Sequence, residues 1–331
     1  MTAPMSRPVT RRRVLGIVAA SAAALVPGST RSADIRTYRW TGTALGADAS
    51  ISLHHPDRAE AQAAVDAARA EIERLEDELS LYRPHSALSR LNREGRLDGP
   101  SVDMRVLLSE SVRFGNLSGG AFDVTVQPLW HLHADHFAAH PDDAAGPPET
   151  AIAAARALVD YRRIRIGSDR IDLEPGMAVT LNGIAQGYIT DRVADVLRAR
   201  GFEHVLLNLG ETRALNDRAD GSPWTIAIAD PRTGAPRMTL PLTNRAVASS
   251  AGAGTAFDRD GRHHHLFSPT TGRSGGTAAS VTVVAERATD ADALATAAYV
   301  MTPEAAQRML QKMETVSAWT VGTDGRIRRL T

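Results

Sequence analysis

Residues 179–211, VTLNGIAQGYITDRVADVLRARGFEHVLLNLGE, constrain the chain more than any other stretch. The short apolar run at 179–181 predicts the end of a strand. Asn182-Gly183 interrupts it, because both residues tolerate backbone angles that β-branched residues resist. A helix is predicted next, since Ile184, Tyr188, Val193 and Val196-Leu197 recur near the 3.6-residue period. Gly201 ends it, just after Arg198 and Arg200 place positive charge at the negative end of the helix dipole. The run at 204–209 then predicts a buried strand closing at Gly210-Glu211. A glycine-broken turn between a strand and a helix presents N–H groups at the helix N-terminus, where an anion such as a diphosphate can sit. A plain α/β unit with nothing bound accounts for the same residues equally.

Around this unit the pattern predicts an α+β chain. Two strands occupy 36–55, and 49–53 alternates with period 2. An amphipathic helix spans 59–80, with Val65, Ala68, Ile72, Leu75 and Leu79 on one face. Pro84 stops it and Ser86 caps a short helical turn. A helix is predicted at 102–117, loop at 131–148, helix at 149–160, and a hairpin around Gly167-Ser-Asp169. Beyond 211 strands dominate, at 224–229, 238–242, 246–249, 264–267 and 279–285. Helices follow at about 290–300 and 303–313, then a last hairpin turning at Asp324-Gly325. No linker divides the chain, so the expected architecture is one α+β domain of two intertwined lobes with a cleft between them.

Charge and composition exclude several functions. Lys plus Arg equals Asp plus Glu, 38 of each, which gives no basis for nucleic-acid binding or a polybasic membrane patch. There is no cysteine, which removes disulfides, thiolate catalysis and iron–sulfur ligation. The N-terminus reads as a targeting segment. Thr10-Arg-Arg-Arg-Val-Leu15 resembles a twin-arginine export motif, and the apolar run 14–26 is short for a membrane span. A signal peptide over 1–33 and a mature periplasmic chain over 34–331 are expected, with no stable membrane insertion after cleavage; an N-terminal anchor helix is the other reading.

Two further stretches carry chemistry. In Ala288-Thr-Asp-Ala-Asp292-Ala-Leu-Ala-Thr296, Asp292 and Thr296 are four apart and share a helix face. Such a pair offers the hard oxygens Mg²⁺ prefers, while an acidic helix start is also ordinary capping, with Thr289 or Asp290 as the cap. In Arg262-His-His-His265-Leu-Phe-Ser-Pro269-Thr-Thr271-Gly272, His265 reads as a general base, a phosphate contact or one of a surface histidine run. His131, His133, His136 and His140 have a spacing that fits no regular metal site and read as incidental surface residues.

Taken in order, GIAxGY…D, HHLxxPxTG and ATDADALATA resemble the ApbE family of FAD:protein FMN transferases. Ser80-Leu-Tyr82…Ser86-Ala-Leu-Ser89-Arg-Leu-Asn92 and Gly120-Ala-Phe-Asp123-Val-Thr resemble that family's N-terminal motifs, so the resemblance covers about residues 38–330. It implies Mg²⁺-dependent transfer of the FMN half of FAD to a Thr or Ser hydroxyl of a partner protein, leaving AMP. It further implies a metal site of Asp292, Thr296 and the Ala185 carbonyl, with His265 as base for the acceptor hydroxyl. Tyr82, Ser86, Asn92 and Asp123 would contact the flavin nucleotide, as would Gly183, Gly187, Glu211 and Thr271.

The family usually reads D-L-G-G-I-A-K-G-Y where this chain has Thr180-Leu-Asn182-Gly-Ile-Ala-Gln186-Gly-Tyr, so a charge is lost at Thr180 and at Gln186; the usual Asp of H-I-x-D-P is Ser268, and Gly-Gly-Asp after the strand is Gly210-Glu211-Thr212. The L-N-G-I-A-Q-G-Y and L-G-E-x-R-A forms resemble the NosX branch, periplasmic relatives that serve nitrous oxide reductase maturation. The implied acceptor is that system's membrane flavoprotein. The neutral residues at Thr180, Gln186 and Ser268 motivate a second reading, a non-catalytic FAD-binding maturation factor. A periplasmic metal carrier using the histidine-bearing 131–148 region is a third.

Overall fold

The computed structural model describes residues 36–44 and 46–331; the targeting segment expected over 1–33 lies outside the described residues. The chain opens with a hairpin, β1 (Arg36–Ala44) and β2 (Ala47–His55). Asp57 then caps α1 (Arg58–Leu79), its carboxylate accepting from the Ala59 and Glu60 amides. The apolar stripe read from the sequence is the buried one. Next come α2 (Ala87–Glu94), β3 (Arg96–Asp98) and α3 (Val102–Leu117). They lead into α4 (Gln127–Ala139), α5 (Glu149–Arg156), β4 (Arg165–Ile166) and β5 (Arg170–Asp172). The glycine turn enters α6 (Ala185–Ala199), followed by β6 (Val205–Asn208) and β7 (Thr212–Leu215). A hairpin of β8 (Trp224–Ala229) and β9 (Pro236–Leu242) precedes β10 (Ala246–Ser250) and β11 (Ser280–Ala285). The chain closes with α7 (Ala288–Val300), α8 (Pro303–Leu310), β12 (Ser317–Val321) and β13 (Ile327–Arg329).

One antiparallel sheet of eight strands, in the order β1-β2-β6-β7-β10-β11-β12-β13, organises the fold. Its two faces bury different cores. Along β6, Val205 and Leu207 join Ile51, Leu53, Ala248 and Val283 in the main core under α1, α6 and α7. Leu206, between them, points the other way with Ala214, Val247 and Val284, beneath Trp224, Ile226 and Leu242 of the β8–β9 hairpin. The unbroken apolar run of this strand therefore reflects cover on both faces rather than one.

The structure corrects four local expectations. Residues 127–139 form α4, where loop was expected over 131–148; only 140–148 is irregular. Pro128 starts this helix and Leu129, His133 and Phe137 make its buried stripe, a periodicity hidden because one core position is a histidine. Residues 179–181 do not form a strand. The Asn92 side chain takes the place of a neighbouring strand, accepting from the Val179 amide at 2.7 Å and donating to its carbonyl at 2.8 Å. The expected strand at 264–267 is reduced to two isolated bridges, Ala256 with His264 and Phe267 with Ser274. β7 was not foreseen, because Arg213 breaks its apolar pattern.

Candidate active site

The site begins where α6 and α7 cross. Gly187 lies so close to the start of α7 that a Cβ there would stand 2.6 Å from the Ala288 carbonyl carbon and 2.8 Å from the Thr289 nitrogen. The two helices cap each other across this contact. Asp191 of α6 accepts from the Ala288 and Thr289 amides, both at 2.9 Å, and from the Thr289 hydroxyl at 2.6 Å. Asp292 of α7 in turn accepts from the Gly187 amide, in the first turn of α6, at 3.1 Å. Neither helix has a side-chain cap of its own, so each carboxylate satisfies donors the other helix leaves open. Asp191 is held by ion pairs with Arg213 and, at 3.8 Å, Arg287.

Beside this crossing opens a cleft of about 410 Å³. Its walls come from residues 121–126, the 180–186 turn, the β6–β7 tip, the segment after β10, the 265–267 strip and the inner face of α7. On the α7 side, Asp292 is 4% exposed and Thr296 stands one turn on. Gly183 packs onto Thr296: an added Cβ would sit 3.0 Å from the Thr296 hydroxyl oxygen. The Ser250 hydroxyl lies 3.3 Å from that oxygen. Glu211 at the β6–β7 tip is buried, and its Oε2 has no hydrogen-bond partner. Burial first, then the negative charge of Asp292, push the Glu211 carboxyl well above the ordinary carboxylate range, opposed by a hydrogen bond with the Ser249 backbone.

This donor set fits a hard divalent cation. Two buried carboxylates stand here, Glu211 with an oxygen that no donor reaches, and a hydroxyl shares the helix face of Asp292. Among the described residues no group of three or more His, Asp or Glu gathers as a metal site, so an ion here would draw on hydroxyl or main-chain oxygens as well. Ala185, whose carbonyl the sequence reading put forward, is the buried first residue of α6.

The three consecutive histidines have three separate surroundings. His265 lines the cleft, with its Nδ1 3.1 Å from the Thr255 carbonyl oxygen. His264 faces inward against Gly252 and Tyr299, and burial lowers its pKa to about 4, so it is neutral. His263 turns towards α4, its ring 4.9 Å from Phe137. A general base therefore has one candidate position in this run, His265.

Of the residues expected at the nucleotide, Tyr82, Asp123, Gly183 and Glu211 line the cleft. Tyr82 stands at its rim, 67% exposed. Asp123 organises its own wall, accepting from the Thr125 amide at 2.8 Å, the Thr125 hydroxyl at 2.6 Å and the Tyr161 amide at 3.1 Å. Burial raises its pKa against those hydrogen bonds. Ser86, Asn92, Gly187 and Thr271 stand outside the cleft wall. Ser86 is the fully buried cap of α2, Asn92 holds residue 179, Gly187 makes the helix crossing, and Thr271 sits exposed in the 268–272 turn. Ser268 belongs to that same turn, accepting through its carbonyl from the Thr271 and Gly272 amides.

Sequence reasoning missed other parts of the wall. Trp130, Phe122 and Phe267 line it, as do Ser249, Ser250 and Thr255. The signal available was the switch from apolar to hydroxyl residues at the end of β10. Trp130 carried none, because its helix was not recognised. Asp191 carried none either, since the amides it caps are 97 and 98 residues away.

The histidines at 131–140 do not gather into one group, although the His136 and His140 rings lie 5.1 Å apart. His131 and His140 are exposed, His133 is buried with its Nδ1 2.9 Å from the Leu129 carbonyl, and His136 pairs with Asp143 at 2.9 Å. Among these described residues nothing assembles the carrier site that the third reading requires.

Comparison with known proteins agrees with this arrangement. The model of the ApbE family matches residues 45–320. A protein of Vibrio cholerae named FAD:protein FMN transferase is 34% identical over 241 residues, covering 70% of this chain and 72% of its own. One of the same name from Treponema pallidum is 30% identical over 296 residues, covering 82% and 80%. The solved structure of flavin transferase ApbE from Vibrio cholerae superposes with a TM-score of 0.77 at 27% identity, over 89% of this chain and 96% of that one. With the family model matched over residues 45–320 and relatives at 34% and 30% identity, the chain belongs to the ApbE family.

Proposed function

We propose that this protein transfers FMN from FAD to a Thr or Ser hydroxyl of a partner flavoprotein, releasing AMP. The same reading makes the reaction Mg²⁺-dependent, with Asp292, Thr296 and the Ala185 carbonyl as the resident ion's ligands. The observation that carries it is one cleft holding both a buried hard-oxygen wall at α7 and an imidazole, His265. Mg²⁺, when bound, supplies charge neutralisation for a diphosphate. His265 takes the proton of the acceptor hydroxyl as its oxygen bonds to the FMN phosphorus and the bond to the bridging oxygen breaks, so that AMP leaves with that oxygen. The 180–186 turn and Asp123 shape the wall, and Tyr82 at the rim offers a ring to the flavin.

The NosX-like forms at 181–188 and 209–214 support a periplasmic role in maturing the nitrous oxide reductase system, whose membrane flavoprotein would be the acceptor. The Arg11-Arg12 pair supports export by the twin-arginine route. Arg11→Lys with Arg12→Lys should leave the protein in the cytoplasm; unchanged periplasmic recovery refutes that route.

The deciding experiment mixes the mature protein, FAD and Mg²⁺ with an acceptor domain of that flavoprotein, and takes the intact mass of the acceptor. A gain of one FMN, lost on adding chelator, is the expected result. Asp292→Ala should abolish the gain, and His265→Ala should slow it with FAD binding largely kept. FAD bound without AMP release on the genuine acceptor would favour the non-catalytic maturation factor, a reading supported by the neutral Thr180 and Gln186 in the cleft wall.

A further inference from the structure

Glu211 is a buried carboxylate of the cleft with one oxygen, Oε2, left without a hydrogen-bond partner. It sits in the tight turn between β6 and β7, where its own carbonyl accepts from the Leu209 amide at 3.0 Å. Gln186 lies against the preceding Gly210, its Cδ 2.7 Å from where a Cβ would stand, and so closes the turn from the α6 side. The side chain is buried and Oε2 finds no donor. The nearest cation in sequence, Arg213, is already paired with Asp191. The charge acting on Glu211 is that of Asp292, which has the same sign. A buried carboxylate with an oxygen no donor reaches, placed near a second carboxylate, bears a desolvation cost that a bound cation would offset. Both line the same cleft as Thr296.

We propose that Glu211 and Asp292 share one divalent cation, so that Glu211 is a direct ligand of the ion rather than a contact of the flavin nucleotide. This rests on the reading of Asp292 as a metal residue and adds to it a second carboxylate. The shared ion supplies Glu211 with the positive charge that Arg213, held by Asp191, does not, and its binding would draw the β6–β7 tip and α7 together across the cleft. The ligand set then carries a formal charge of two, matching a divalent ion before a substrate diphosphate arrives.

The test uses Mn²⁺ as a spectroscopic probe, titrated into the mature protein with and without ADP and followed by electron paramagnetic resonance. Wild type, Glu211→Gln and Asp292→Asn are compared, with thermal unfolding recorded at each metal concentration. Wild type should take up one ion, and its melting temperature should rise with the ion. Glu211→Gln should bind at least about tenfold more weakly. Without metal it should be as stable as wild type or more so, because it removes a buried like-charge contact, and the ion should no longer raise its melting temperature. Tight Mn²⁺ binding by Glu211→Gln together with loss in Asp292→Asn overturns the proposal and leaves the metal reading of Asp292 standing. Unaltered binding in both variants, or no uptake by wild type even with ADP, overturns both. If Glu211 served the nucleotide instead, Glu211→Gln would weaken ADP and FAD binding without metal and keep the full metal response.

Discussion

Replacing Gly187 with alanine separates a local from a tertiary account of the glycine turn. Local propensity favours the change, since alanine inside a helix is better than glycine by about 1 kcal/mol. Tertiary structure opposes it. The new methyl would lie 2.6 Å from the Ala288 carbonyl carbon and 2.8 Å from the Thr289 nitrogen, both backbone atoms that cannot swing aside. Reaching ordinary contact requires α6 and α7 to part by roughly 1 Å. Overpacking of this kind costs about 1–3 kcal/mol. Parting the helices also stretches the Asp191 bonds to Ala288 and Thr289 and the Asp292 bond to Gly187, each worth about 1 kcal/mol or more. Set against the propensity gain, the net expected loss is about 2–3 kcal/mol. Urea unfolding should show the midpoint falling with an unchanged slope. Affinity for the proposed metal should fall with it, because Asp292 and Thr296 ride on the displaced helix. A Gly187→Ala protein as stable as wild type, or about 1 kcal/mol more stable, refutes the close crossing. Weakened FAD binding with stability intact would restore Gly187 to the nucleotide role its motif implied.

Three other outcomes follow from the same contacts. Asp191→Ala should cost about 3 kcal/mol in urea unfolding, because it opens two buried amides and a hydroxyl on α7 and strands Arg213; a loss under about 1 kcal/mol sinks the capping argument. Asn92→Ala should cost about 2 kcal/mol, since the amide and carbonyl of Val179 both lose their partner, while FAD affinity per folded molecule holds; a variant that is stable but blind to FAD would place Asn92 at the nucleotide after all. His264, held neutral by burial with a pKa of about 4 against an ordinary 6.5, contributes stability that is complete above pH 6.5 and is lost as pH falls towards 4. The slope over that window should approach about 1.4 kcal/mol per pH unit, and His264→Gln should flatten it in urea midpoints measured across the range.

Legibility varied with the range of the interaction. The stripe of α1 and the Ser86 cap of α2 were readable because each rests on residues within a turn of one another. The period of α4 was obscured because His133, a core residue here, counts as polar in any pattern. The 179–181 run has an apolar strand's composition, yet the backbone hydrogen bonds of Val179 go to a side chain 87 residues away. Asn92 and Gly187 belong to motifs that imply the nucleotide, but in the fold they hold the walls of the cleft rather than line them.

By itself the sequence determined most of the element types, the lack of thiol chemistry and the ordered motifs that mark the family, since periodicity, composition and spacing are local properties of the chain. Only the tertiary structure decided which members of those motifs face the cleft. It also decided that α6 and α7 cap each other through Asp191 and Asp292, that one of three adjacent histidines reaches the site, and that Glu211 is buried beside Asp292 without a compensating charge. Each of these depends on what a side chain meets across the fold, and desolvation and pairing are set by distance in space rather than along the chain.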